Sequence, residues 1–124
     1  MPNPRVLVTG SRTWNDRDAI NKALASIYTE LGGGDITLVS GACPTGADML
    51  CEDVWNGQSL PIERHPADWD NHGKRAGFVR NSEMVNLGAT VCLAFIQDES
   101  KGATMTASLA EKSGIRTVVF RNVP

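Results

Sequence analysis

The sequence predicts an α/β fold of the Rossmann-like type, in which a doubly wound sheet of about five parallel strands carries helices on both faces. Two observations predict this class. Short apolar runs alternate along the 124 residues with stretches whose apolar residues recur at helical spacing. The runs are almost continuously apolar, which is typical of parallel strands buried on both faces. Right-handed crossovers then favour the strand order 3-2-1-4-5, in which the winding reverses between strands one and four.

The predicted strands are five short runs, four of which are rich in β-branched and large apolar residues. The third run is more polar. In chain order the runs are Val6–Thr9, Ile36–Val39, Ile62–His65, Val91–Ile96 and Thr117–Phe120. The polar segment after the third run, Pro66–Gly73, is predicted to be a loop.

The predicted helices are four stretches in which apolar residues are spaced three and four apart. Asn15 or Asp16 is expected to cap the first helix. Glycines at positions 32–34, 57, 88 and 114 are expected to end the helices. In chain order the helices include residues 19–31, 47–55, 78–87 and 105–110. We expect residues 1–124 to form a single domain, because the chain is too short for two.

Composition narrows the classes of function. The formal net charge of −2 gives no support to autonomous nucleic-acid binding, which depends on a dense Lys/Arg surface. No apolar run approaches the roughly 20 residues that cross a bilayer, and the N-terminus lacks the pattern of a signal peptide. The three cysteines have no framework spacing, with Cys51 and Cys92 at expected core positions and Cys43 in a loop. We therefore expect a cytoplasmic protein with reduced thiols and no membrane partner.

Three predicted strands end in small, flexible residues that lead into a helix, and the predicted topology brings these ends together. Amide groups at a helix N-terminus lack intrahelical partners and favour an anion, and glycine lets the backbone approach it. The sequence therefore predicts a site for a phosphorylated small molecule, with the third loop spanning residues 97–104. The candidate ligand-binding residues of the three loops are Gly10, Ser11, Arg12, Gly41, Ala42, Thr45, Gly46, Asp48, Lys101, Gly102, Ala103 and Thr104.

The sequence does not match the patterns of several well-known nucleotide-binding and metal-binding sites. The spacing from Gly41 to Gly46 is that of a P-loop, but Ala47-Asp48 replaces the lysine and hydroxyl residue that a P-loop needs. The first loop lacks the full glycine pattern of dinucleotide-binding dehydrogenases. We predict no cofactor and no metal, because two histidines and uncertain carboxylate neighbours are a weak ligand set. The residues of that set are His65, Asp68, Asp70 and His72.

Some candidates have two interpretations. Arg12 either binds phosphate through its planar fork or pairs with Asp16 or Asp18. Asp48 either complements the dipole of its helix or holds ribose hydroxyls. Trp69, which lies in a polar segment, either packs or stacks on a base, whereas Trp14 is expected to pack.

Five motifs together carry a resemblance to a known group of proteins. They are Val8–Arg12, Gly41–Asp48, Arg64–Trp69, Arg80–Met84 and Ser100–Ala103. From Arg5 to about Phe120 the chain resembles the SLOG superfamily, which includes the Lonely Guy phosphoribohydrolases and the DprA/Smf proteins. It is most similar to the small YspA-type, YpsA-related branch. The resemblance implies a Rossmann-like fold, a nucleotide-derived ligand with its phosphate at the helix after the fourth strand, and a homodimer.

The resemblance also implies roles for particular residues. Arg80 matches the catalytic arginine of the phosphoribohydrolases, and Asn81 follows it in the same motif. Gly102 matches the last glycine of their phosphate-binding stretch, but Thr106 stands where they carry a catalytic glutamate. A hydroxyl cannot replace that carboxylate without a large loss of rate. Glu83 is one carboxylate that could substitute, and the others are Asp48 and Asp98.

Two functions follow from these residues. The first is the binding or sensing of a nucleotide or a nucleotide-derived small molecule. The alternative is a hydrolase or transferase acting on an N-glycosidic bond, with Arg80 and Glu83 as catalytic residues. Arg80 also has a structural interpretation, an ion pair with Glu83 or Asp70. An accessory role in DNA processing, by similarity to DprA, is a third option that the acidic composition does not favour.

Overall fold

A computed structural model of the chain describes residues 3–97 and 100–121. Its strands are β1 (Arg5–Gly10), β2 (Thr37–Ser40), β3 (Ile62–Arg64), β4 (Val91–Ile96) and β5 (Arg116–Arg121). Its helices are α1 (Arg17–Glu30), α2 (Gly46–Gly57), α3 (Trp69–His72), α4 (Ala76–Leu87) and α5 (Lys101–Lys112), with a 3₁₀ turn at Gly73–Arg75 between α3 and α4. All strand pairs are parallel and the order is β3-β2-β1-β4-β5, so the predicted fold class is confirmed.

Capping residues explain where α1 begins and why α3, which the sequence did not predict, forms. Asp16, not Asn15, caps α1, since its carboxylate accepts a hydrogen bond from the Ala19 amide at 3.0 Å. The segment predicted as a loop contains α3, which Asp68 caps by accepting from the Asn71 amide at 3.2 Å. This four-residue helix buries none of its residues, so it leaves no apolar period in the sequence.

The core lies on both faces of the sheet. On one face, α1 and α2 cover β1, β2 and β4, and Trp14 packs edge-on against Phe95 with ring centroids 5.6 Å apart. On the opposite face, α4 and α5 pack over Leu7, Val39 and Cys92. The expected packing roles of Trp14, Cys51 and Cys92 are confirmed by their burial. Within the described residues, no helix has the length and apolar character to span a bilayer.

Candidate functional site

A cleft of about 530 Å³ opens at the carboxyl ends of β1 and β4, where Gly10 lies opposite Phe95 in the register. This is the point at which the winding of the sheet reverses, as the sequence predicts. Nine of the predicted site residues line the cleft: Gly10, Ser11, Arg12, Asp48, Trp69, Arg80, Asn81, Gly102 and Ala103. The cleft also includes Gln97 and Ser100, which lie in the third loop (residues 97–104) that the sequence places there. Further lining residues that the sequence did not select are Thr13, Cys43, Lys74, Gly77, Phe78 and Met84.

Ser11 joins the first loop to the end of β4. Its hydroxyl donates to the Gln97 carbonyl at 2.9 Å and accepts from the Gln97 amide at 2.7 Å. Its own amide donates to the Phe95 carbonyl at 2.9 Å. Ser11 therefore fixes the two strand ends that form the cleft, and these hydrogen bonds engage its amide and hydroxyl within the protein.

Two glycines selected for ligand approach have a packing role. A Cβ on Gly10 would lie 2.3 Å from the Ala47 Cβ, so glycine is needed where β1 meets α2. Gly46 has a positive φ of 73°, and a Cβ there would lie 2.3 Å from the Ser11 carbonyl oxygen. Gly46 therefore allows the second loop to pack directly on the first, and it does not line the cleft.

The amides of the second loop are used within the protein. The Ala42 amide donates to the Ser40 hydroxyl at 3.1 Å, and the Cys43 amide donates to Asp48 Oδ2 at 3.3 Å. The Ala47 amide donates to the Ser11 carbonyl at 3.1 Å. The expectation that the Ala42 amide is free to bind an anion is therefore wrong, and the amides of Cys43 and Ala47 are also engaged within the protein. Four residues of this loop that were predicted to contact a ligand do not line the cleft: Gly41, Ala42, Thr45 and Gly46.

The guanidinium of Arg80 lines the cleft and donates hydrogen bonds to uncharged acceptors. Its Nη1 donates to the Gly41 carbonyl, and also to the His65 carbonyl at 3.4 Å. Its Nε donates to Asn81 Oδ1 at 2.6 Å. A Cβ on Gly41 would lie 2.8 Å from Arg80 Nη1, so glycine at that position makes room for the guanidinium.

The charge of Arg80 has no partner within the described part of the chain. No carboxylate there lies within 4.0 Å of its guanidinium, so neither ion pair expected from the sequence forms. Burial lowers the pKa of Arg80, while the charge of nearby Asp48 raises it. Among the described residues, Arg80 Nη2 also has no hydrogen-bond partner, which leaves it available to an anion.

Asp48 is a buried carboxyl in the first turn of α2, and it lines the same cleft. Burial raises its pKa to about 6, although the Cys43 amide and the charges of Arg80 and Arg12 oppose that increase. Perturbed carboxyls in clefts are typical of functional sites. Both interpretations of Asp48, with the helix dipole and with ribose hydroxyls, agree with this position.

An aromatic rim, defined here as Trp69 and Phe78, lies at the cleft. Trp69 is 49% exposed and Phe78 is 45% exposed, although both are large apolar side chains. Arg12 lies over Trp69, with its Cζ 5.9 Å from the ring centroid, and no ion pair of Arg12 with Asp16 or Asp18 is present. Sequence reasoning assigned Phe78 to the apolar face of a helix, because its spacing matches that face.

The third loop leads into α5, whose first turn reaches the cleft through Gly102 and Ala103. Lys101 is exposed and does not line the cleft. Thr104 lies within the helix, where its amide and hydroxyl both donate to the Ser100 carbonyl. Thr106, which the resemblance aligns with the glutamate of the phosphoribohydrolases, is fully buried, and its hydroxyl donates to the Gly102 carbonyl at 2.9 Å.

The other carboxylates considered for catalysis differ in their placement. Glu83 is exposed on α4 and is not part of the cleft lining. Asp98 lies outside the described residues. Asp48 is therefore the carboxyl that the described cleft brings near Arg80.

Two of the four residues weighed as a metal site, His65 and Asp68, have other partners. His65 Nε2 lies 2.6 Å from Glu63 Oε2, and Asp68 caps α3. The pKa of Glu63 falls to about 2, chiefly because Arg5 donates to its carboxylate. Across residues 3–97 and 100–121, no group of three or more His, Cys, Asp or Glu side chains is arranged to hold a metal ion.

Comparisons with known proteins address the family. The sequence model of the YspA, cpYpsA-related SLOG family matches residues 4–72. The chain is 41% identical over 126 residues to the Gene 61 protein of Mycobacterium phage D29. The matched region covers 97% of this chain and 98% of the phage protein. No solved structure matches. The matched segment includes the first two loops and Trp69, so the chain belongs to the YspA, cpYpsA-related SLOG family, as its motifs predict.

Proposed function

We propose that the protein binds a nucleotide-derived small molecule in the cleft, with an anionic group of the ligand on Arg80. The observation that carries this proposal is the state of Arg80, a partly buried cation fixed by two carbonyls and Asn81 with no carboxylate partner among the described residues. Removing a cation from water is costly unless an anion compensates it. A phosphate on Nη2 would supply that compensation through a charge-assisted hydrogen bond.

The groups around Arg80 also favour a negatively charged ligand. Gly102 and Ala103 place the first turn of α5 at the cleft, where the helix dipole favours an anion. Among the described residues of the lining, Arg12, Lys74 and Arg80 are cationic, whereas Asp48 is the carboxyl. Membership of a SLOG family suggests that the anion is part of a nucleotide-related compound.

Arg80→Gln tests this proposal. Loss of one charge-assisted hydrogen bond should weaken binding by about 10- to 100-fold, since such bonds contribute about 1.5–3 kcal/mol. We would measure melting temperatures and calorimetric affinities with AMP, ADP-ribose and inorganic phosphate. At a hundredfold excess over Kd, a ligand should add about 2.7 kcal/mol of apparent stability.

The matched control is Arg116→Gln, because Arg116 is a surface arginine paired with Glu30 at 2.6 Å and does not line the cleft. It should bind each compound as the wild type does. The proposal would be abandoned if none of the three compounds stabilised the wild-type protein. It would also be abandoned if Arg80→Gln bound them with unchanged affinity while remaining folded by circular dichroism.

A second candidate function is cleavage of the N-glycosidic bond of such a ligand, and Asp48 is the observation that favours it. A carboxyl with a pKa of about 6 can exchange a proton near neutral pH, and Asp48 shares the cleft with Arg80. If the protein has this second function, chromatography should show release of adenine from AMP by the wild type and loss of that release in Asp48→Asn. Binding without release of base would assign the protein to the sensing class.

The resemblance and the composition add two features to the proposal. We infer a homodimer from the family, and a reducing cytoplasmic setting from three cysteines that are free thiols. Light scattering of the purified protein measures the first of these, and a monomer at micromolar concentration would contradict it.

A further inference from the structure

Gly77 occupies a distinctive position on the cleft wall. It is the second residue of α4, and it lies between the aromatic rim and Arg80. A Cβ built at Gly77 would lie 3.7 Å from Trp69 Cη2 and 3.8 Å from Arg80 Nη2. The space that this missing methyl leaves open therefore adjoins both the exposed indole and the guanidinium nitrogen that has no partner among the described residues.

Neither packing nor backbone geometry explains this glycine. Its φ is not in the left-handed region, and an added Cβ would make only ordinary van der Waals contacts. Alanine is the better residue inside a helix, because glycine has more conformational entropy to lose on folding. Gly10 and Gly46 differ in this respect, since a Cβ on either would overlap neighbouring atoms. The open space at Gly77 is part of the cleft.

We propose that the ligand is a nucleoside monophosphate that spans Gly77, with its base against the aromatic rim and its phosphate on Arg80. The inference rests on the proposed function and adds the class and orientation of the ligand. Trp69 and Phe78 are about half exposed, which is the state expected of rings that a flat ligand covers. The sugar then crosses α4 at the residue that has no side chain.

The rim also predicts how selective the site is. The side chains of Arg12, Trp69, Lys74 and Phe78 offer no hydrogen-bond acceptor to the edge of a base. Stacking tolerates every base because each has a π-face. AMP and GMP should therefore bind within about fivefold of each other, whereas ribose 5-phosphate, which has no base, should bind at least about tenfold more weakly.

The main experiment compares Gly77→Ala with Gly57→Ala. Gly57 is the last residue of α2, lies outside the cleft lining and has no atom within 4 Å of an added Cβ. Both variants should melt about 2–4 °C higher than the wild type, because each replaces a helical glycine. Gly77→Ala should bind AMP at least about tenfold more weakly, while Gly57→Ala should bind it unchanged. Inorganic phosphate, which does not cross Gly77, should bind Gly77→Ala within about threefold of the wild type.

A second variant keeps the inference testable if Gly77→Ala disturbs the helix. Trp14 and Trp55 are buried, so the third tryptophan of the chain, Trp69, is the one that a bound base contacts. AMP should quench tryptophan emission in the wild type but not in Trp69→Ala, which should bind AMP about tenfold more weakly. The matched control is Leu87→Ala, an exposed apolar residue outside the cleft lining.

The outcomes separate this inference from the function on which it rests. If neither phosphate nor AMP binds the wild type, the proposed function itself fails. If phosphate, ribose 5-phosphate and AMP bind with equal affinity, and Gly77→Ala and Trp69→Ala change nothing, the anion site stands and the base site is overturned. Loss of AMP binding in both variants, with phosphate binding retained, supports the ligand orientation proposed here.

Discussion

Gly46→Ala should lower the free energy of unfolding by about 2–5 kcal/mol. Two costs combine at this position. Alanine at a φ of +73° costs about 1–2 kcal/mol, because its Cβ approaches the backbone carbonyl oxygen. The same Cβ would lie 2.3 Å from the Ser11 carbonyl oxygen and 2.5 Å from the carbonyl carbon of Arg12, so two loops must separate, which adds about 1–3 kcal/mol.

The control for Gly46→Ala is Gly114→Ala. Gly114 follows α5 with a φ of +83°, and nothing lies within 4 Å of an added Cβ. That variant carries the backbone cost without the overlap and should lose only about 1–2 kcal/mol in urea unfolding. Equal losses in the two variants would contradict the close packing of the first two loops. A larger loss in Gly46→Ala, together with weaker AMP binding, would link that packing to the shape of the cleft.

The position of the site could be predicted from sequence because it depends on topology. Continuous apolar runs indicate a parallel sheet, and the reversal of winding beside β1 places a crevice at the carboxyl ends of its strands. This reasoning selected Gly10, Ser11 and Gly102, which line the cleft. It did not select Arg80, since that residue lies in the middle of a helix, and only its match to a family motif selected it.

The roles of individual residues could not be predicted, because they depend on contacts between segments that are distant in sequence. Gly41 matches a phosphate-binding pattern, but in the structure its lack of a side chain makes room for the guanidinium of Arg80, which lies 39 residues further along the chain. Phe78 has the spacing of a core residue, yet it lies at the cleft and is about half exposed. Gly77 was not selected because the indole of Trp69, which belongs to a different helix, is brought beside it only by the fold.

Asp48→Asn should stabilise the protein by about 2–3 kcal/mol at pH 8. Burial raises the pKa of Asp48 from 3.8 to about 6, so the folded state binds more protons than the unfolded state between these values. Stability therefore falls as pH rises through this window, by about 3 kcal/mol in total. Asparagine keeps the size and the acceptor oxygen for the Cys43 amide but carries no charge.

The measurement is urea unfolding of both proteins at pH 5 and pH 8. About half of the loss of stability caused by ionised Asp48, ~1.5 kcal/mol, occurs between pH 5 and pH 8. The free energy of unfolding of Asp48→Asn should therefore exceed that of the wild type by ~1.5 kcal/mol more at pH 8 than at pH 5. Comparing variant with wild type cancels groups that both proteins share, including Glu63, whose low pKa contributes stability that is lost only in acid. Asp53→Asn, an exposed carboxylate on the same helix, serves as the control and should show no such growth. An advantage that is equal at both pH values would contradict a buried, ionised Asp48.

The same variant distinguishes the two interpretations of Asp48. If its carboxylate accepts hydrogen bonds from ribose hydroxyls, Asp48→Asn should bind AMP several-fold more weakly but inorganic phosphate unchanged. If Asp48 only complements the dipole of α2, removing its negative charge from the cleft should strengthen the binding of both anionic compounds. A variant that gains stability and loses AMP affinity would follow the trade-off expected when a destabilising group is kept for binding. Asp48 would then be assigned to the sugar, between the base at Trp69 and the phosphate at Arg80.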